Sequence, residues 1–267
     1  MSNTTQQGTD NNDVVFNLFQ QELEKQGLYI DSVDADGFIL VQKGEDKLKI
    51  SLDNARKDYE RDNSPEPIIN LVQALAEYGA GVPEKWDDAK EHIFMSFYPS
   101  GFDFTNLIYI PVTQHFSAGF VYGSGTMHVI IGQDELDAWE IDAEQLRDQA
   151  FANAEVLLRQ SAVSFTEVEG RRLGYIETEW DALKGALLFS YGFKEQMGVE
   201  LGYPFYGIFP VRDFCYVFSE TDFDFFTERL GAVVKDEYLG SGYPVTTEIL
   251  KFTQDDVESI GAYDVEA

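Results

Sequence analysis

The residues that can do chemistry in this chain are few and widely spaced. Arg212-Asp213 is the most suggestive pair. A guanidinium clamps a carboxylate or phosphate with two parallel hydrogen bonds, and a carboxylate beside it can act as a base. Two readings are open for Arg212. It clamps an anionic ligand group, or it pairs with an internal carboxylate and pins the turn that follows Pro210. His92, His115 and His128 supply the imidazoles. No two of them share an H-x-H, H-x3-H or HExxH spacing, so no metal is expected. Cys215 lies in Phe214-Cys215-Tyr216-Val217-Phe218, which is apolar on both strand faces. That predicts a buried, protonated, structural thiol. No catalytic residue follows from spacing alone, and no cofactor is implied.

The other motifs have plainer readings. In Asp34-x-Asp36-Gly37 the twelfth position of a calcium loop would fall on Lys43, which cannot supply a bidentate carboxylate, so a hairpin turn is expected. Gly123-Ser124-Gly125 lacks the spacing of phosphate loops and of a nucleophile elbow, and reads as a turn. Glu177 and Glu179 share a strand face, but with 48 acids in the chain such a pair has almost no specificity. Aromatic residues crowd positions 203–226. Most belong to the core, and Tyr203 and Tyr206 are candidates for a partner or ligand patch. Asn153, in a helix beside its buried face, points to solvent or satisfies a buried backbone group.

The elements that position these residues alternate in type. Residues 13–26 place Val15, Leu18, Phe19 and Leu23 on one helical face. Strands follow at 28–33, 38–42 and 48–52. Ser64 and Pro65 then start a helix with Ile68, Ile69, Val72 and Leu75 inward. Gly79, Gly81 and Pro83 break the pattern. Residues 92–131 hold four strands. Asp142 with Gln145 resembles a capping box for a helix to Arg159. Strands are predicted at 162–168, 171–177, 185–190, 205–210, 214–218 and 248–252. A helix capped by Thr221 or Asp222 turns Phe226, Leu230, Val233 and Val234 inward. The fold class is α+β, with mixed or antiparallel sheets and flanking helices. The expected organisation is a disordered polar tail over 1–12, an N-terminal half over 13–132, a central helical segment over 133–161, a C-terminal half over 162–254 and an acidic terminus over 255–267.

Charge narrows the function classes. Among 267 residues there are 48 acids and 19 bases, a formal charge of −29. Nucleic-acid backbones and anionic membrane surfaces are disfavoured partners, because both draw on clustered Lys and Arg. An acidic field favours a basic protein, and it also serves solubility. The single Cys excludes a disulfide framework. No apolar stretch approaches the ~20 residues that span a bilayer, and no basic residue precedes Lys25, so the chain reads as cytoplasmic.

Three phrases carry a resemblance. They are Ile50-Ser51-Leu52-Asp53-Asn54 leading to Tyr59, Ala150-Phe151-Ala152-Asn153, and Phe209-Pro210-Val211-Arg212-Asp213. In that order and spacing the chain resembles the YtpQ-like family of bacterial cytosolic proteins of unknown function, over about residues 45–260. Val211 departs from the family pattern, which has Asn before the Arg-Asp pair. The resemblance implies no activity.

Three functional hypotheses remain. The first is a non-enzymatic binding or regulatory module, of inhibitor or immunity type, that presents an acidic, aromatic surface to a basic protein. The second is a small-molecule enzyme in which Arg212 clamps an anion and Asp213 or a nearby His is the base. The third is a structural homodimer built on the aromatic surplus. An even scatter of acids favours solubility, a cluster of acids on one face favours the first hypothesis, and a pocket joining Arg212 to a His favours the second.

Overall fold

The computed structural model describes residues 13–34, 37–44, 46–77, 82–123 and 128–265. The expected tail over 1–12, the middle of the Asp34–Gly37 turn, the Gly79 and Gly81 break and the Ser124-Gly125 turn lie outside the described residues. The fold is α+β with antiparallel sheets. The chain divides into two compact units, Met1–Gly79 and Ala80–Ala267.

In the first unit, α1 (Val14–Lys25) begins at Asp13, whose side chain accepts the Phe16 N–H at 3.0 Å. Arg56 donates to both oxygens of the same carboxylate, at 2.7 and 2.6 Å. Those hydrogen bonds hold the Asp13 carboxyl below its ordinary value. A meander follows, of β1 (Tyr29–Val33), β2 (Ile39–Lys43) and β3 (Asp46–Ile50). Helix α2 (Asp53–Asp62) stops at Asn63, which takes the left-handed conformation at φ 47° that asparagine tolerates. In α3 (Glu66–Glu77), Ser64 Oγ accepts the Glu66 N–H at 3.2 Å. The core joins Phe19 and Leu23 of α1 to Val41 of β2 and to Ile68 and Val72 of α3.

The second unit opens with α4 (Trp86–Ala89), β4 (Ile93–Pro99), β5 (Tyr109–Pro111), β6 (Phe116–Gly123) and β7 (His128–Ile130). These four strands make one sheet. β6 is central, β4 flanks it on one side, and β5 and β7 share the other. Helices α5 (Gln133–Trp139) and α6 (Ala143–Leu158) follow, and Asp142 and Gln145 form the expected capping box. Then come β8 (Ala162–Val168), β9 (Arg171–Glu177), α7 (Lys184–Leu188), α8 (Tyr191–Leu201), β10 (Phe205–Val211), β11 (Phe214–Ser219), α9 (Phe223–Gly240), β12 (Glu248–Phe252) and β13 (Val257–Ala262). Their strands form a second sheet in the order β13-β12-β10-β11-β9-β8.

Four expectations need correction. Residues 133–161 do not separate two halves. Leu146, Ala150 and Ala154 of α6 belong to one continuous core that runs from Ala89 to Phe252, and the units divide at Gly79–Ala80 instead. Residues 185–190 are not a strand, because α7 fills that stretch. A Cβ on Gly185 would meet the rings of Phe209 and Phe97, so glycine lets the helix backbone lie directly on them. A fully buried helix turn is as apolar as a buried strand, and short runs of this kind carry no period that separates the two. The acidic terminus is partly structured, with β13 pairing antiparallel to β12 and Lys251 Nζ bridging to Glu258 at 2.9 Å. Val233 faces outward at 40% exposure, while Phe226, Leu230 and Val234 are buried as expected.

Candidate functional site

The four-stranded sheet positions the candidate site. Directly paired residues of antiparallel strands share a face. Ser96 and Tyr98 of β4 pair with Gly119 and Ser117 of β6. Tyr109 and Pro111 of β5 pair with the same two residues from the other side, and His128 of β7 pairs with Gly123. All of these side chains therefore belong to one face. The opposite face carries Phe97, Phe116 and Phe120 into the core.

On the site face, glycine at 119 lets two aromatic rings lie down on the sheet. A Cβ there would stand 3.1 Å from the Tyr98 ring and 3.5 Å from that of Phe104. Tyr98 packs on Phe102 at 4.4 Å, and Phe104 stacks on Tyr109 at 4.4 Å. Phe102, Phe104 and Tyr109 border an open groove of about 550 Å³, lined also by Asp103, Thr113 and Gln114. Tyr109 is 46% exposed, so its ring is available to a ligand. Asp103 accepts the Thr105 hydroxyl at 2.6 Å and the Thr105 N–H at 2.9 Å. Both bonds favour the charged form and hold its carboxyl below the ordinary value. At the far wall, Thr113 Oγ1 donates to Glu248 Oε2 at 2.6 Å. The Thr246 hydroxyl donates to the same oxygen at 2.9 Å, which ties the groove wall to a buried carboxylate.

Arg212 stands beside this aromatic cluster. Its guanidinium lies 4.3 Å from the Tyr98 ring and 5.0 Å from the Tyr243 ring. Its Nε–H donates to the Phe97 carbonyl at 3.2 Å. Six of the eight arginines form ion pairs with acids: Arg56, Arg61, Arg147, Arg171, Arg172 and Arg229. Arg212 forms none among the described residues. The expected carboxylate partner is thus replaced by a backbone carbonyl and two aromatic faces, which fix the guanidinium plane and leave its two terminal nitrogens without an acid.

His128 shows the complementary deficit. Both ring nitrogens are enclosed, and neither finds a hydrogen-bond partner among the described residues. Burial pushes its pKa down to about 4, and the positive charge of Arg212 adds to the shift. Ser96 Oγ, on the same sheet face, is also enclosed and unpartnered. Among the described residues the remaining orphan of this kind is the Tyr263 hydroxyl. Each such group costs about 1–3 kcal/mol while it stays unmatched.

The other residues singled out in the sequence are not brought together with Arg212. Asp213 is exposed at the tip of the β10–β11 turn, and its side chain makes no hydrogen bond among the described residues. Asn153 is buried on α6, donating to the Lys90 and Ile93 carbonyls at 2.7 and 2.8 Å and accepting from Gln149 at 2.9 Å. It ties α6 to the start of β4. Tyr203 donates to the Lys194 carbonyl at 2.8 Å and packs over Gly198 of α8. Tyr206 is 7% exposed in the core beneath α9, 4.5 Å from Phe223. Cys215 is buried, and desolvation pushes its thiol up to about 12. Of the three histidines, His92 packs edge-on against Tyr122 and His115 is exposed. Among the described residues no three His, Cys, Asp or Glu gather as a metal site, and no helix is long and apolar enough to cross a membrane.

The groove residues Phe102, Asp103, Phe104 and Tyr109 carry no recognised motif. Their one signal is an aromatic–acid–aromatic run after Gly101 in a segment between two strands, where binding residues concentrate. Comparison with known protein families, with curated proteins and with solved structures finds no match to this chain.

Proposed function

We propose that the protein is a non-enzymatic binding module that holds a basic segment of a partner protein in the groove of Phe102, Asp103, Phe104 and Tyr109. The observation that carries this reading is the groove itself, with the exposed Tyr109 ring and a carboxylate kept charged on its lining. That combination suits a lysine or arginine side chain, through cation–π contact and direct charge pairing. Long-range attraction comes from the rest of the unit, which holds 33 acids and 12 bases over Ala80–Ala267. Exposed acids stand on α5 and α6 (Asp134, Asp137, Glu144, Asp148), on α9 (Asp224, Glu228) and on β13 (Glu258). Spread in this way, the charge is the pattern expected of a solubilising coat, so the binding reading rests on the groove and not on the net charge. An inhibitor or immunity-type role is one form of this function, and kinship with the YtpQ-like family is a companion proposal that brings no chemistry of its own.

The test is a titration with lysine- and arginine-rich peptides at low and high salt. Binding is expected to weaken with salt. Tyr109→Ala is expected to weaken it roughly fivefold, the loss of one exposed cation–π contact of ~1 kcal/mol, and Asp103→Asn by a similar factor. Binding that ignores both substitutions overturns the reading. A small-molecule reading finds less support, because Arg212 lies in the β10–β11 turn and no described pocket joins it to a His. Asp213, the base it called for, is exposed at the turn tip.

A further inference from the structure

We propose that the free edge of β8 is a self-association surface, on which a second copy of this chain adds its own β8 antiparallel and joins two six-stranded sheets into one. This surface shares no residue with the groove and does not rest on the groove reading.

β8 ends the six-stranded sheet and pairs with β9 alone among the described strands. The loop between them is Glu169-Gly170, with positive φ angles of 53° and 79°. A two-residue loop of this kind closes on a hydrogen-bonded pair, here Val168 and Arg171, and such pairs then alternate along the ladder. The backbone groups of Val163, Phe165 and Glu167 therefore face away from β9, toward the edge. Pairing with β9 stays in register through all seven residues, and the strand holds no Pro, Gly or Lys. The other described edges each carry a feature that discourages strand addition. The pairings of β1 and β13 shift register, β3 presents Lys47 and Lys49, and β5 holds Pro111. β7 has only three residues, and on β4 the Ile93 and Phe97 carbonyls already accept from Asn153 and Arg212. The largest side chain of β8 does not mask its edge. The Phe165 ring lies inward over Gly174, where a Cβ would stand 2.9 Å from it, and the Arg172 guanidinium lies 4.1 Å from the ring centre.

The side chains of β8 suit a second copy. Antiparallel pairing centred on Phe165 sets Val163 opposite Glu167 and Ser164 opposite Thr166 of the other strand, and it uses the outward groups of both. No acid then faces an acid, in a chain with 48 acids against 19 bases. Arg172, over Phe165, comes to stand diagonally across from Glu167 of the second copy, and the two-fold axis repeats this approach of opposite charges. Serine–threonine and aromatic cross-strand pairs add to the preference for this register.

The experiment is sedimentation equilibrium of the full chain at concentrations up to ~1 mM, the range of weak complexes, at low and high salt. A reversible monomer–dimer equilibrium is expected. It should tighten at high salt, because each copy carries a formal charge of −29 and salt screens their repulsion. The groove reading expects peptide binding to weaken with salt, so the two proposals fail separately. Glu167→Pro removes an outward N–H and leaves the β8–β9 hydrogen bonds in place. It is expected to weaken the dimer at least tenfold, with an unchanged far-ultraviolet circular dichroism spectrum. If that variant does not fold, cross-linking decides. In the proposed register residues 164 and 166 of the two copies form a non-hydrogen-bonded pair, with Cα atoms ~4.5 Å apart and within disulfide reach. Ser164→Cys combined with Thr166→Cys should therefore give disulfide-linked dimers on oxidation, and Thr166→Cys alone should not. Cys215 is buried and takes no part. The proposal is overturned by a chain that stays monomeric at ~1 mM in high salt, or by a dimer that loosens as salt rises. It is equally overturned if Glu167→Pro dimerises as the wild type does, or if the double and single Cys variants cross-link alike.

Discussion

The six-stranded sheet is covered on both faces, by the core around Phe97 and Phe209 on one side and by α9 on the other. The four-stranded sheet meets that same core on one face; its other face is buried too at Phe94, Ser96, Tyr98 and Val121, and opens beside β5, where the groove lies. Their polar groups do not divide in the same way, because the Tyr263 hydroxyl beside α9 is also enclosed and unpartnered among the described residues. The buried Glu248 of the six-stranded sheet receives two threonine hydroxyls. Ser96 and His128 of the four-stranded sheet receive nothing among the described residues. What separates the two sheets is the open end beside β5, where Tyr109 is exposed, and not the presence of unmatched groups.

The largest effect that tests this contrast lies in the shared core. Phe209 is fully buried, edge-on to Phe97 at 5.4 Å. Phe209→Ala is expected to destabilise the protein by about 3–5 kcal/mol in denaturant unfolding, because it removes a large ring and leaves a cavity. A loss well under 1 kcal/mol would mean that the two sheets do not depend on one core.

The next effect is a pH dependence. His128 falls from an ordinary 6.5 to about 4 in the folded protein. Between those values the unfolded chain binds the extra proton and the folded protein does not. Stability is therefore fully present above pH 6.5 and is lost as pH falls toward 4, by about 3 kcal/mol when complete. His128→Phe should flatten this part of the stability profile, and an unchanged profile would remove His128 from the account. The Asp13–Arg56 pair acts in a lower window, because a lowered carboxyl loses its contribution only below the unfolded value of 3.8.

How far the sequence reveals this arrangement depends on what each feature rests on. α6 is legible because Asp142, Gln145 and an apolar stripe all mark it. α1 and β4 to β7 are legible from period and turn residues. α7 is not, because only the three-dimensional approach of Gly185 to Phe97 and Phe209 distinguishes it from a strand. β13 is hidden by the acids around it, its own Glu258 and the preceding Asp255 and Asp256 being exposed while Val257 packs inward. At the site, Arg212 is legible as a cation out of place in an acidic chain. His128 is not, because its position depends on β7 pairing with one particular end of β6. The aromatic density at 203–226 misleads for a related reason. A central strand covered on both faces needs rings on both, and Phe205, Tyr206, Phe209 and Phe218 are spent there.

A matched pair of small substitutions sharpens the contrast between the sheets. Thr246→Val removes a hydroxyl that donates to buried Glu248 and is expected to cost about 1–3 kcal/mol, since the carboxylate loses a donor. Ser96→Ala removes a hydroxyl that donates to nothing described. It is expected to be neutral or stabilising by up to ~1 kcal/mol, because an unmatched polar group leaves the interior. Equal losses at the two positions would show that Ser96 is matched after all.

The smallest expected effect on stability is at Tyr109, and it is the most informative about function. Its ring stacks on Phe104 at the groove edge and is 46% exposed, so Tyr109→Ala forfeits little burial. The unfolding midpoint is expected to stay within ~0.5 kcal/mol of the wild type, as for an ordinary surface substitution. A core ring such as Phe209 costs several times more. If Tyr109→Ala instead destabilises by 2 kcal/mol or more (roughly the low end of core truncations), the aromatic cluster is part of the scaffold. The groove would then be a by-product of packing. If stability holds and peptide binding falls, the exposed ring is there for a partner, because nothing in the fold needs it.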